Sequence, residues 1–387
     1  MHYLIAFFYI VQFVNITSKL ISFRILYLSE FPCISVGELG VANFNLLSPY
    51  NCFNVDIERI KNLPILKKSS LKFDNETINV QYYSHSLMFT NDKLPFNFLG
   101  VTSDTREYLI QNRPEISRKF IRKVSFAYDP PDQSLSFLHD LYNKGIITKK
   151  IFGFDFNSEN IYIGEIPSNI TKFLHHEHCY IVDNVWGCKL NSVYLSNDNG
   201  NEYTFSSKIK RAVFSFTVEY LSIPKEEFFR LTNFLFEKEI EKNLCHIEED
   251  HYRPKTFFLL CNSTDFLSTS NVPMFFHIKL DSFTMTYYTR RMFKKTYGSN
   301  IFLIGCYETN PIDEIDIGYH LLEGFNIVFD YDNKDITFYI RNDYMFRSFK
   351  HDNRIKMNLF LVVIFIIAIW ICCLMVQLTQ MKLFLNE

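Results

Sequence analysis

The stretch RAVFSFTVEYLSIP, Arg211 to Pro224, runs directly into KEEFFRLTNFLF, Lys225 to Phe236. The first part is β-branched and aromatic and reads as a buried strand. The second places Phe228, Leu231 and Leu235 on one helical face, with Pro224 in the first turn. Between them Ser215, Phe216, Thr217 and Val218 occupy a turn where a site-bearing loop would sit, and none of them is charged. The stretch is either an ordinary core strand or an active-site loop without its acid.

Working outward, most of the chain reads as strands. ETINVQYYSHSLMF (Glu76–Phe89) alternates around Tyr83-Ser84-His85-Ser86 and predicts a hairpin. IFGFDFNSENIYIGEI (Ile151–Ile166), WGCKLNSVYLSNDNGNEYTF (Trp186–Phe205) and FNIVFDYDNKDITFYI (Phe325–Ile340) predict three more, each about a polar turn. SLSFLHDLYNKG (Ser134–Gly145) predicts a helix with Leu135, Leu138 and Tyr142 on one face and Gly145 as its stop. Strands, one helix, strands, one helix and strands suggest two similar β-rich lobes, residues 19–150 and 151–345.

The chain has 387 residues, 48% hydrophobic, which suffices for two lobes with a real core. A net charge of −2 gives no electrostatic case for nucleic acid. Residues 1–18 hold an apolar run from Tyr3 to Val14 that suits a signal peptide, with a first strand of the fold as the alternative. MNLFLVVIFIIAIWICCLMV, residues 357–376, is uncharged and long enough to span a bilayer. A juxtamembrane segment, 346–356, and a short tail, 377–387, flank it. The expected product is a single-pass type I protein of the secretory pathway or cell surface. Arg347, Lys350, Arg354 and Lys356 before the span, against Lys382 after it, favour the reverse orientation.

Asn75, Asn169 and Asn262 lie in glycosylation sequons, as expected of a lumenal domain. Nine cysteines are present, and Cys372 and Cys373 fall in the span. The odd remainder is Cys33, Cys52, Cys179, Cys188, Cys245, Cys261 and Cys306, which leaves at least one without an intrachain partner. Cys33–Cys52 and Cys179–Cys188 are disulfide candidates by proximity. HHEHC (His175–Cys179) lacks metal-ligand spacing, and RRMFKK (Arg290–Lys295) reads as a solvated basic face. No metal or other cofactor is implied.

Several stretches, in order, resemble the pepsin-like aspartic proteases. SLSFLHDLYNKGIITKKIFGFDF resembles the segment that crosses between that family's lobes. IYIGEIPSN and DNVWGCKLNSVYL resemble the strand and hairpin that follow. IDIGYHLLEGFNIVFDYDNKDITFYI resembles its hydrophobic-Leu-Gly-Asp loop and closing strand pair. ELGVANFNLLSPYNC (Glu38–Cys52) resembles the first active-site loop, and SSLKFDNETINVQYYSHSLMF the flap, with Tyr83 as its tyrosine. The resemblance spans Ile25 to Ile340. It implies a mainly β, bilobal acid-protease fold with short helices, followed by one C-terminal transmembrane helix.

Aspartic proteolysis needs two carboxylates that share a proton, and the handiest comparison is pepsin itself, whose paired carboxyls titrate apart. The family supplies each from an Asp-Thr-Gly loop. By resemblance Glu38 and Gly40 stand in the first loop, and Ser215, Phe216 and Thr217 in the second. Glu38 keeps a carboxylate, whereas Ser215 cannot ionise near neutral pH. Ser84-His85-Ser86 replaces the Gly-rich flap tip, Ser125 a supporting glycine, and Tyr319 an acid. The resemblance therefore implies a pseudoprotease that binds a peptide or protein in the interlobe cleft, lined by Glu38, Tyr83 and Ser215. A divergent active endopeptidase using Glu38 and another carboxylate, Glu219 among the candidates, stays open. The resemblance also implies a Cys245–Cys306 disulfide, with Cys245–Cys261 as its rival.

Overall fold

The computed structural model describes residues 20–28, 31–35, 41–46, 48, 51–53, 63–73, 76–89, 92–101, 123–156, 158–171, 176–197, 200–250, 255–263, 273–296, 299–307 and 311–340. The predicted signal peptide, juxtamembrane segment, membrane span and tail lie outside them. Among the described residues no helix is long and apolar enough to cross a membrane. Residues 1–339 form one compact unit; 340–387 form a second, of which only Ile340 is described.

The molecule is mainly β. Its first half holds β1 (Ile21–Arg24), β2 (Leu26–Leu28), β3 (Phe31–Ser35), β4 (Val41–Asn45), β5 (Cys52–Phe53), β6 (Ile65–Phe73), β7 (Glu76–Phe89), β8 (Asp92–Val101), β9 (Lys123–Ser125) and the helix α1 (Phe137–Asn143). Then come β10 (Ile151–Asp155), β11 (Asn160–Ile163), α2 (Ser168–Thr171), β12 (His176–Tyr180), β13 (Gly187–Asn197), β14 (Gly200–Thr204), β15 (Arg211–Ser215), β16 (Leu221–Ile223) and α3 (Lys225–Glu241). The last third holds β17 (Cys245–Glu249), β18 (Thr256–Cys261), β19 (Phe275–Leu280), β20 (Thr284–Tyr288), β21 (Phe293–Thr296), β22 (Ser299–Tyr307), β23 (Glu314–Gly318), α4 (Tyr319–Leu322), β24 (Phe325–Asp330) and β25 (Asp335–Ile340).

Three of the four predicted hairpins form. β10 pairs with β11 antiparallel, β13 with β14, and β24 neighbours β25. The last turn is fixed locally, because the Asn333 N–H donates to Asp330 Oδ1 and Lys334 adopts φ +56°. The fourth does not form. β7 runs unbroken through Tyr83-Ser84-His85-Ser86, paired with β6 on one side and β8 on the other. Alternation continues through those residues without a glycine or proline, so nothing in them breaks the strand. In α1 the predicted face is correct for Leu138, and Leu135 is buried in the preceding 3-10 turn, but Tyr142 is exposed. Gly145, at φ +68°, follows the last turn as expected. α3 buries Phe228, Leu231 and Leu235.

The two halves share a topology that the sequence does not display. In the first, β9 lies between β4 and β5, parallel to β4 and antiparallel to β5, and β5 runs parallel to β8. In the second, β23 lies between β15 and β16, parallel to β15 and antiparallel to β16, and β16 runs parallel to β22. The registers agree residue by residue. Asn45 faces Ser125 as Ser215 faces Gly318, and Cys52 faces Lys123 as Ser222 faces Asp316. A third sheet, ordered β1-β11-β10-β24-β25-β12, draws the N-terminal strand onto strands from later in the chain.

The segment leading into that sheet carries a buried histidine. His139 on α1 is 1% exposed, its Nδ1 lies 3.1 Å from Ser136 Oγ, and its ring stands edge-on to Tyr331. Burial, aided by Lys150, pushes its pKa down to about 4 from 6.5. The unfolded chain therefore binds this proton more readily than the folded one between those values. The stability contributed by neutral His139 is complete above pH 6.5 and lost as pH falls through about 4. Urea midpoints of wild type and His139→Gln across that window should show a shallower acid loss in the variant.

Candidate functional site

The matched strands deliver two loops. β4 ends at Asn45, whose carbonyl accepts the Phe126 N–H at 2.9 Å and whose Oδ1 accepts the Ser48 N–H. Asn51 closes this loop and is 1% exposed. Its Oδ1 accepts the Ser125 N–H at 2.7 Å, and its Nδ2 donates to the Asn97 carbonyl at 2.8 Å. Ser125 Oγ donates to the Ser48 carbonyl at 2.6 Å. A loop wedged between strands leaves buried backbone groups without ladder partners, and these short polar side chains supply them.

β15 ends at Ser215, buried like Asn45. Ser215 Oγ lies 3.1 Å from Thr217 Oγ1 and accepts the Thr217 N–H at 3.3 Å. Where the first loop has Ser125, this one has Gly318. A Cβ there would lie 2.2 Å from the Tyr220 carbonyl oxygen and 2.6 Å from that of Val218. The bare backbone lets the Tyr319 N–H reach Val218 O at 2.9 Å. Beside the loop, Lys294 Nζ lies 3.9 Å from Glu219 Oε2 and 3.2 Å from His320 Nε2.

One ring joins the loops. Phe154 on β10 meets Phe44, next to Asn45, edge-on at 5.4 Å, and Phe216, next to Ser215, at 4.1 Å. Phe126 and Phe152 extend the cluster, and Trp186 Nε1 donates to the Phe126 carbonyl at 2.5 Å. Asn45 and Ser215 can offer hydrogen bonds to a peptide group. Neither can ionise near neutral pH, so they cannot share a proton as paired carboxyls do. Among the described residues no three His, Cys, Asp or Glu side chains gather as a metal site.

The expected site residues fall as follows. Glu38 and Gly40 lie outside the described residues. In the matched registers Ser215, at the end of β15, corresponds to Asn45, at the end of β4. Val41, next after Gly40, pairs with Ser35 at the opposite end of β4 from the loop. Tyr83 is no hairpin tip. It is 6% exposed, stacks on Phe98 and lies over Gly100, where a Cβ would come within 2.5 Å of its ring. Thr217 sits half-buried in the second loop. Cys179–Cys188 form a disulfide as expected. The second-half bridge is Cys245–Cys261, the rival pairing, because those residues oppose each other on β17 and β18. Cys306 is buried opposite Phe257 on β22, away from that pair. Cys33 and Cys52 lie on β3 and β5, and their side chains are outside the described set. Asn169 and Asn262 are exposed, and Asn75 is outside.

Asn45 and Asn51 are absent from the residues singled out by sequence. Their signal was present: VANFN and RAVFS both end in Phe and a small polar residue, and Asn45 and Ser215 each stand seven residues before the matched residues of the next strand, Cys52 and Ser222. No protein-family model matches the chain, and no curated protein matches it.

Two glycines differ in what they tolerate. Gly318→Ala should cost roughly 3 kcal/mol or more, because rigid backbone oxygens occupy the space. Gly145→Ala, which meets nothing within 4 Å but has φ +68°, should cost about 1 kcal/mol. Urea unfolding followed by circular dichroism separates them. Asn51→Ala strands a buried N–H and a buried carbonyl and should cost roughly 2–4 kcal/mol in the same assay.

Proposed function

We propose that the chain is a pepsin-like aspartic-protease homologue that has lost catalysis and binds an extended peptide or protein segment in the groove between its halves. It is held by its C-terminal apolar segment on a membrane of the secretory pathway or cell surface. The observation that carries this reading is the pair of matched loops, one from each half, that meet on Phe154 and end in Asn45 and Ser215. The family brings its two carboxylates together from one such loop per lobe. Here both positions keep hydrogen-bonding capacity and neither keeps an acid. An extended segment crossing both loops would find polar groups on an ordered floor, which suits recognition of a peptide backbone.

Two further features agree with this reading. The disulfides Cys179–Cys188 and Cys245–Cys261 suit an oxidising compartment. The sequons at Asn169 and Asn262 are accessible for glycosylation.

The test is a mixed peptide library incubated with the purified full chain from pH 3 to pH 8, read both for cleavage and for peptides that co-purify. Retention of intact peptides without cleavage is expected. Cleavage by the wild-type chain that disappears in Glu38→Ala would overturn the reading in favour of a divergent endopeptidase.

A further inference from the structure

Among the described residues the third sheet ends in β12, an edge strand that reads HEHCY and pairs antiparallel with β25 over all five residues. Successive strand residues point to opposite faces. Cys179 is buried and Glu177 half-buried, opposite the buried Ile336 and Phe338. His176, His178 and Tyr180 point the other way and are exposed, opposite Tyr339, Thr337 and Asp335. HHEHC has no helical ligand spacing. On a strand, however, side chains stand side by side at a spacing of two, and His176 and His178 have that spacing. The ordinary strand rise sets their Cα atoms about 6.6 Å apart.

These two imidazoles are uncommitted, and the backbone beneath them is fixed. His139, His246, His277 and His320 each use a ring nitrogen on a protein partner. Among the described residues His176 and His178 make no side-chain hydrogen bond or ion pair. Each ring packs only against a tyrosine: His176 on Tyr339 at 5.7 Å, and His178 edge-on to Tyr180 at 5.5 Å. The strand itself is held in three ways. The ladder to β25 holds one side, the Cys179–Cys188 disulfide ties the buried face to β13, and Ser282 Oγ donates to the His178 carbonyl. Asp335 lies diagonally across the ladder from His178. Burial, then Asp330, pushes its carboxyl up, and positive charge at His178 opposes them. A cation at His178 therefore gains from Asp335.

We propose that His176 and His178 chelate one divalent transition-metal ion, copper(II) by preference, on the exposed face of β12. Imidazole suits copper, nickel and zinc, and copper(II) stands highest in the order of affinities. Two parallel side chains on neighbouring same-face positions need only lean together for both ring nitrogens to bond one ion at about 2 Å. Once the first has bound, the rigid strand presents the second at high effective concentration. Water completes the coordination. The site lies on the third sheet and does not rest on the peptide-binding reading.

The probe is copper(II), titrated into the purified full chain and followed by electron paramagnetic resonance, with spin-echo modulation to count bound imidazoles. A centre with two imidazoles is expected. His176→Asn or His178→Asn should leave one and weaken binding roughly a hundredfold. His178→Asn combined with Tyr180→His keeps the number of histidines but sets them about 13 Å apart, and should behave like the single variant. His175→Asn, at the residue before β12, should change nothing. Excess calcium, which takes oxygen ligands, should not compete. A wild-type centre with fewer than two imidazoles overturns the pair. So does two-imidazole binding that survives the His178→Asn, Tyr180→His combination, or an imidazole lost with His175→Asn, since either would assign the ion to the histidine-rich run and not to the strand face. Displacement by calcium would place the ion on carboxylates and also overturn the proposal.

Discussion

The ring of Phe154 is the constraint on which the site depends. It projects from β10 and meets Phe44 from the first half and Phe216 from the second. Each neighbour is one residue from a loop end, so the ring fixes where Asn45 and Ser215 stand. Phe152 on the same strand stacks on Phe329 of β24 at 4.8 Å, which ties the floor of both loops to the third sheet. Aromatic rings bury large areas and favour offset or edge-on contacts, so a cluster of this size positions its members without hydrogen bonds. Phe216, one residue past Ser215, has no side-chain hydrogen bond to offer the loop. Here apolar packing does the bracing.

Around that shared floor the halves solve one steric problem in two ways. The third strand must pass close beneath the loop. In the first half Ser125 fits because its hydroxyl takes the Ser48 carbonyl as a partner, and Asn51 satisfies the strand from the other side. In the second half the carbonyls of Val218 and Tyr220 crowd in, and only a glycine fits at position 318. The first loop is braced by side-chain hydrogen bonds and the second by close backbone approach. Both leave their terminal side chain buried and neutral. A carboxylate there would be desolvated, and two at close range could not both ionise.

Much of the fold was legible in the sequence. Period-two alternation and polar turns gave three hairpins, and 3.6-residue spacing with Pro224 and Gly145 gave two helices. What failed did so for physical reasons. Alternation alone cannot distinguish a turn from a continuing strand when the intervening residues are Tyr, Ser and His, so β7 was divided at Tyr83. The Cys245–Cys261 bridge depends on strand register, which residue spacing does not determine. Asn45 did not stand out in the sequence because it is neutral, whereas Glu38 offers the acid that the chemistry seeks. The parallel pairings β4–β9 and β15–β23 join residues far apart in the chain. That non-local pairing is what identifies Asn45 as the counterpart of Ser215, and it leaves no local signature.

A double-mutant cycle on Phe44→Leu and Phe216→Leu, measured by urea unfolding of the full chain, tests the convergence most directly. These residues come from different halves and share the ring of Phe154. Their effects should be non-additive by about 0.5–1.5 kcal/mol, and the coupling should vanish when the cycle is repeated with Phe154→Leu. Additivity within about 0.3 kcal/mol in the wild-type background would mean that the two loops do not rest on a common ring, and would contradict the account.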